Sequence, residues 1–143
     1  MKRSTKIISI ITIFFLIIAT VIVARTMIGK HFQKKFKLVD ARSKNRFLGL
    51  EKEPRPGLKS GSVQNSLCLP FGELINAENK TFKEKKIIKE KFVKMGINQE
   101  KNVVFSCGSG ITAAVLSLAY SLINDKYLPT VYDGSWAEYG KIK

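Results

Sequence analysis

Apolar positions divide the chain into one long N-terminal run and a series of shorter segments with different periods. Residues 7–24 are apolar with few interruptions. From residue 36 onward, short β-branched and aromatic runs alternate with segments of helical period, which is typical of an α/β domain with a mainly parallel central sheet flanked by helices. The predicted strands are 36–41, 102–106 and 129–132, and the predicted helical segments follow residues 70, 81, 110 and 134.

The lysine-rich segment that ends at Gly96 has the pattern of an amphipathic surface helix. Thr81 is the predicted N-cap and Glu84 its capping-box partner, three residues later. One apolar stripe would face the sheet, and the lysines would face solvent or, alternatively, an anionic membrane. The stripe consists of Ile87, Ile88, Phe92 and Met95.

The N-terminal run has the length of a membrane-spanning helix. About 18 residues rise about 27 Å, close to the roughly 30 Å hydrocarbon core of a bilayer. We therefore expect residues 1–25 to be an uncleaved, single-pass transmembrane segment, residues 26–36 a basic juxtamembrane linker, and residues 37–143 one domain. The alternatives are a cleaved signal peptide, which would make the domain secreted or periplasmic, and an apolar leader without a membrane role.

Basic residues flank the N-terminal run on both sides, so the positive-inside rule favours a cytoplasmic C-terminal domain only slightly. Residues 1–37 hold eight of the 25 basic residues and none of the 11 acidic ones, so the net charge of +14 falls to +6 for the rest of the chain. Attraction to anionic headgroups explains basic residues beside a membrane. No nucleic-acid-binding module accompanies the charge, so nucleic acid is not an expected partner.

The two cysteines and the single histidine limit the kinds of site that the chain can form. Cys68 and Cys107 are too few for a disulfide framework, and with His31 as the only histidine they do not form a metal-ligand spacing. We predict neither a metal nor a cofactor. Cys68 is expected to be a small buried residue beside a strand, and the alternative is a second redox thiol.

Residues 103–114 carry the strongest signal for chemistry. A β-branched and aromatic run ends at Cys107, Gly108, Ser109 and Gly110 follow, and a helix is predicted from about Ile111. Glycines let backbone N–H groups turn inward, and the helix N-terminus adds its unsatisfied amides and dipole. We expect a thiol with a lowered pKa that acts as a nucleophile. The alternative is a buried cysteine that merely precedes a helix.

Four separated motifs resemble the rhodanese superfamily, in the form typical of the catalytic C-terminal domain of 3-mercaptopyruvate sulfurtransferases. The resemblance covers about residues 37–143. A nucleophilic thiol that carries a persulfide works best where thiols stay reduced, which favours a cytoplasmic domain. The motifs are Leu38-Val39-Asp40-Ala41-Arg42, then Asn45-Arg46-Phe47 through Glu53-Pro54-Arg55-Pro56-Gly57, then Cys107-Gly108-Ser109-Gly110-Ile111-Thr112-Ala113, and finally Tyr132-Asp133-Gly134-Ser135-Trp136.

The resemblance implies a transferase that moves a sulfane sulfur through a persulfide on Cys107 to a thiol or thioredoxin-like acceptor. Arg46 and Arg55 would hold the carboxylate of 3-mercaptopyruvate, for which guanidinium groups are suited. Ser109 would assist proton transfer. The backbone amides of Gly108, Ser109, Gly110, Ile111 and Thr112 would hold the persulfide.

Two related chemistries are disfavoured by the same loop. Residues 108–114 lack the arginine that cysteine phosphatases need to hold phosphate. Thiosulfate is a less favoured donor, because the loop offers this dianion no basic side chain. The chain also departs from its relatives at Gly61-Ser62-Val63-Gln64-Asn65, where they usually have Gly-His-Ile-Pro-Gly.

The alternative function is a membrane-tethered sulfur-relay or binding domain with little catalysis of its own. In the two-domain enzymes that the chain resembles, an N-terminal domain supplies a His and an Asp to the active-site serine, and no stretch of this sequence matches that domain. Ser109 would then need a homodimer or a separate partner domain, as in half of a split two-domain enzyme.

Overall fold

A computed structural model describes residues 15–22, 36–98, 102–126 and 128–142 of the chain. The chain divides into two units, residues 1–35 and 36–143, and each is treated by itself. In the first unit, residues 15–22 are helical. The rest of the predicted segment 1–25, and residues 26–35 of the predicted linker, lie outside the described residues.

Across these described ranges, no helix combines the length and the hydropathy that crossing a bilayer requires. The expected membrane-spanning helix over residues 1–25 is thus not seen. The division of the chain at residues 25 and 36 stays a prediction.

The second unit is built on a four-stranded parallel sheet with the strand order β2-β1-β3-β4. Parallel strands need crossover connections, and the helices that supply them cover the sheet. The α/β fold with a parallel sheet is therefore confirmed. The strands are β1 (Lys37–Asp40), β2 (Leu67–Cys68), β3 (Val103–Ser106) and β4 (Thr130–Val131).

The sheet register brings the ends of the two central strands together. Asp40 of β1 lies opposite Ser106 of β3, and the Ala41 N–H donates to the Ser106 carbonyl at 2.8 Å. The residues after β1 and after β3 therefore share one edge of the sheet. In open parallel sheets this carboxyl edge is where ligands bind.

In the described part of the second unit, three helices and one 3₁₀ turn connect the strands, and a fourth helix follows β4. They are α1 (Lys44–Phe47), the 3₁₀ turn Phe71–Leu74, α2 (Lys85–Lys94), α3 (Ile111–Ser121) and α4 (Ser135–Tyr139). Helix α1 interrupts the loop predicted between residues 42 and 66. The core is centred on three rings that pack edge-on or tilted, with centroids 5.1–6.1 Å apart: Phe92, Phe105 and Tyr120.

The predicted start of α2 was wrong. Thr81 does not cap the helix, because its N–H and hydroxyl both donate to the Asn79 side chain in a tight turn. Helix α2 begins at Lys85, and Glu84 is an N-cap that makes no side-chain hydrogen bond. The apolar stripe also differs in part, since Ile88 and Phe92 are buried whereas Ile87 is exposed.

The segment that departs from the relatives, residues 61–65, keeps two left-handed backbone positions. Gly61 has a φ of +110° and Asn65 a φ of +61°. Asparagine tolerates this region better than most residues, because its short side chain bonds locally to the backbone. Asn65 therefore supplies a positive φ where the relatives usually have glycine.

Candidate active site

Cys107 directly follows β3 at the carboxyl edge of the sheet. Its residue surface is only 2 % exposed, yet it lines an open cavity of about 350 Å³. The loop from Cys107 to Gly110 then leads straight into α3, as predicted from the sequence. The thiol is therefore held by a buried strand and placed at the N-terminus of an eleven-residue helix.

Gly110 is the residue that makes this tight entry possible. Its φ is +85°, and a Cβ at this position would lie 2.8 Å from a carboxylate oxygen of Asp133. Both the backbone conformation and the close neighbour exclude a side chain. Gly110 is also the N-cap of α3 without a side-chain cap, which leaves the first amides of the helix available to another acceptor.

The Cys107 sulfur takes up these free donors. The Ser109 N–H lies 3.4 Å from Sγ. Burial raises the pKa of the Cys107 thiol, but hydrogen bonds from the Thr112 hydroxyl and from the backbone N–H groups of Ser109, Ala113 and Thr112 outweigh it, so the pKa lies below its ordinary value. Donors that favour the thiolate in this way produce a reactive cysteine.

Ser135 is a site residue to which the sequence analysis assigned no role. Its hydroxyl is fully buried and accepts the N–H groups of Cys107 at 3.0 Å and Gly110 at 3.1 Å. The same hydroxyl donates to the Tyr132 carbonyl at 2.7 Å. Ser135 thus holds both ends of the loop. The Gly110 N–H bonds to this hydroxyl, whereas the N–H groups of Ser109 and Thr112 bond to the Cys107 sulfur.

The two candidate arginines both approach Gly108 of the loop and line the same cavity. Arg46 extends from α1, and Arg55 follows in the irregular chain, where its Nη1 lies 3.4 Å from the Gly108 carbonyl. A Cβ on Gly108 would lie 3.1 Å from Arg46 Nη2, so a side chain there would push against the guanidinium. Both arginines, Ser109, Ile111 and Thr112 line the cavity with Cys107.

A buried chain of alternating charges stands behind Arg46. Asp40 accepts two bonds from the Arg42 Nε and one from Nη2, and Arg42 Nη1 donates to Glu53 at 2.7 Å. Glu53 in turn accepts from Arg46 Nη2 at 2.6 Å and from Nε at 3.2 Å. These hydrogen bonds, against the lowering effect of burial, raise the pKa of Arg46. The pairing with Glu53 was not predicted.

Two candidate groups lack a partner or a role. Within the described part of the chain, the Ser109 hydroxyl makes no hydrogen bond, so no residue there would relay its proton. Cys68 lies half-buried in β2, and burial raises the pKa of its thiol to about 11. His31 lies outside the described residues, and among those described no three His, Cys, Asp or Glu side chains group to hold a metal.

Comparison with known proteins agrees with this geometry. The family model described as a rhodanese-like domain matches residues 24–141. The chain is 38 % identical over 125 residues to the 3-mercaptopyruvate sulfurtransferase of Escherichia coli (strain K12), covering 85 % of this chain and 42 % of that relative. It is 36 % identical to the mitochondrial thiosulfate/3-mercaptopyruvate sulfurtransferase 1 of Arabidopsis thaliana, covering 73 % of this chain and 27 % of that relative.

A solved structure gives the same picture. The Tum1 protein from Saccharomyces cerevisiae superposes with a TM-score of 0.66 at 33 % sequence identity, covering 74 % of this chain and 37 % of that one. The chain therefore spans less than half of the length of each of these three proteins. The resemblance drawn from the four sequence motifs is confirmed.

Proposed function

Because this chain belongs to the rhodanese-like domain family, we propose that it is a sulfurtransferase that carries sulfur as a persulfide on Cys107. The observation that carries the proposal is the position of the thiol. Cys107 has a lowered pKa, faces an open cavity, and shares the lining of that cavity with two arginines. A nucleophile beside an anion-binding wall suits an anionic sulfur donor.

We propose 3-mercaptopyruvate as the donor. The Cys107 thiolate attacks the donor's sulfur, and the carbon–sulfur bond breaks with its electron pair moving to the methylene carbon. That carbon takes up the proton of the donor's own thiol, with Ser109 assisting the transfer. Pyruvate leaves, and the donor's sulfur stays on Cys107 as a persulfide. An acceptor thiolate, on a small thiol or a thioredoxin-like protein, then attacks the outer sulfur and releases the Cys107 thiolate.

Each side of the cavity has one task in this reaction. Arg46 and Arg55 bind the donor carboxylate and bring its sulfur to the thiolate. The amides and hydroxyl that lower the Cys107 pKa hold the negative charge that moves to the outer persulfide sulfur. No step requires a cofactor.

The test is the intact mass of the full chain after incubation with 3-mercaptopyruvate or thiosulfate. We expect one added sulfur per chain with 3-mercaptopyruvate and less with thiosulfate. Cys107→Ser should abolish the adduct, whereas Cys68→Ser, the matched control for the other thiol, should retain it. Arg46→Ala and Arg55→Ala should each raise the donor concentration needed by about tenfold or more. An adduct that survives Cys107→Ser would refute the proposal.

A sulfur relay is the second candidate, and the unpartnered Ser109 hydroxyl favours it. Without a proton relay, this chain alone would react slowly with a small-molecule donor and would accept sulfur from a persulfidated protein. A second copy of the chain or a separate domain would be other sources of the missing partners. Loading from a persulfidated protein, but from neither small donor, would select the relay.

We also propose that residues 1–25 anchor the protein to a membrane with the catalytic domain in the cytoplasm. The continuous apolar run, the basic residues that flank it and the reduced thiol required at Cys107 support this proposal. Extraction of membranes with alkaline carbonate should leave the full chain in the pellet. Release into the supernatant would contradict the anchor.

A further inference from the structure

Arg46 enters the cavity already paired with a carboxylate. Its Nη2 lies 2.6 Å from Glu53 Oε2 and its Nε lies 3.2 Å from Oε1. The Glu53 side chain is 1 % exposed, whereas that of Arg46 is 21 % exposed. A ligand in the cavity therefore meets the outer edge of a guanidinium whose charge Glu53 balances at close range.

Glu53 is fixed from its other side and cannot swing away from Arg46. Oε1 also accepts from Arg42 Nη1 at 2.7 Å, and Arg42 donates to the Gly61 carbonyl at 2.8 Å. The Arg42 guanidinium lies 4.3 Å from the centre of the Trp136 ring, and its Nε and Nη2 groups donate to Asp40. The two carboxylates and two guanidiniums alternate in sign, so their charges sum to zero.

Arg55 provides the remaining positive charge of the cavity wall. Within the described residues it makes no ion pair, and its only hydrogen bond is the 3.4 Å contact with the Gly108 carbonyl. Apart from the reacting Cys107 thiolate, the side chains that line the cavity therefore have one positive charge in excess. A dianionic ligand has two negative charges but meets only one unbalanced cation at this wall. The single charge of a monoanion is balanced completely.

We propose that Glu53 is a specificity-determining residue, which balances Arg46 and thereby restricts the cavity to donors with a single negative charge. This inference rests on the proposed sulfur transfer for its donor class, α-keto carboxylate thiols rather than thiosulfate. The charge rule itself concerns binding, so it is testable without any transfer of sulfur.

The experiment measures how anions protect Cys107 from alkylation by neutral iodoacetamide. The full chain is titrated with pyruvate, a monoanion, or with sulfate, a dianion, at constant ionic strength, and the half-protecting concentrations are compared. We expect pyruvate to protect the wild-type thiol at the lower concentration. Glu53→Gln should lower the half-protecting concentration of sulfate relative to that of pyruvate by about tenfold. The reason is that the wall then has two excess positive charges.

Glu51→Gln is the matched control. It removes the same charge from a neighbouring position, but among the described residues Glu51 accepts a hydrogen bond only from the Ser43 hydroxyl, at 3.4 Å, and its electrostatic effect on Arg46 is smaller than that of Glu53. Its ratio should stay within about twofold of wild type, since an exposed charge is screened by salt. The ratio compares two ligands on the same preparation, so a reduced folded fraction cancels.

A second variant keeps the inference testable if Glu53→Gln does not fold. Ile111 lines the same cavity and is 74 % exposed, so Ile111→Lys adds a positive charge there without touching the buried network. It should also shift the ratio toward sulfate. The inference would be overturned if sulfate protected the wild-type thiol as well as pyruvate does. It would also be overturned if Glu53→Gln and Ile111→Lys gave the same ratio as Glu51→Gln. Failure of the sulfur transfer would be seen separately, as no mass adduct on the wild-type chain.

Discussion

The two cysteines occupy environments that move their acidities in opposite directions. Burial dominates at Cys68 and raises its pKa to about 11, whereas at Cys107 the hydrogen bonds of the loop and the helix overcome burial. Folding therefore favours the Cys107 thiolate. That contribution to stability is present above the unfolded thiol pKa of about 8.5 and is lost as the pH falls through the folded value.

Iodoacetamide should consequently modify only Cys107 at pH 7. Thr112→Val removes the hydroxyl that donates to the sulfur, so the pKa of Cys107 should rise and the pH dependence of alkylation should move to higher pH. Peptide mass spectrometry locates the label, and Cys107→Ser provides the unlabelled reference. Equal labelling of Cys68 at pH 7 would contradict this assignment.

Ser135 combines a strained backbone with a buried hydroxyl, and two substitutions separate these features. Its φ is +47°, a region that costs a residue with a side chain roughly 1–2 kcal/mol and costs glycine little. Ser135→Ala leaves the Cys107 and Gly110 N–H groups without their acceptor and should lower the free energy of unfolding by about 1–3 kcal/mol. Ser135→Gly should lose less, as measured by urea denaturation. Identical losses would mean that backbone strain contributes nothing here.

At the scale of elements, local sequence was sufficient where the relevant neighbours are close along the chain. Strand β3, the glycine-containing loop and α3 are consecutive, so their alternation of β-branched, small and helix-forming residues predicted the position of Cys107. The start of α2 was misjudged because Thr81 has two possible partners. Its hydroxyl bonds to Asn79 in the preceding turn, so this local turn forms in place of the expected capping box.

Helix α2 should therefore be improvable at its N-terminus. Glu84 makes no capping hydrogen bond, and the first turn contains no acidic residue. Glu84→Asp provides a shorter carboxylate that is a preferred N-cap, and should raise the free energy of unfolding by about 1 kcal/mol. Thermal and urea unfolding measure the gain. Glu78→Asp makes the same change outside the helix and should have no effect.

Across the whole molecule, what the sequence could not provide are contacts between residues far apart in the chain. The four motifs identified Arg46, Arg55 and Cys107, and the fold brings them to one cavity. The Ser135 hydroxyl reaches Cys107 across 28 residues, and no periodicity encodes that contact. The ion pair of Glu53 with Arg46 likewise depends on the path of an irregular loop. Ser135 and Glu53 both lie inside the motifs, but a motif does not state what each side chain contacts.

The net charge of +6 on residues 38–143 acts at a longer range than the cavity, and salt separates the two contributions. We expect anionic iodoacetate to alkylate Cys107 faster than neutral iodoacetamide does at low salt, once the intrinsic rates with a free thiol are divided out. The Debye length falls from about 30 Å at 0.01 M to about 3 Å at 1 M, so distant lysines should lose their influence. The ratio of the iodoacetate rate to the iodoacetamide rate should then fall to a plateau that stays above unity. Arg55→Ala should remove this remaining preference for the anion, because Arg55 acts within the cavity. A ratio independent of salt would mean that the global charge does not steer anions to this thiol, and a plateau unchanged by Arg55→Ala would assign the local attraction to the amides of α3.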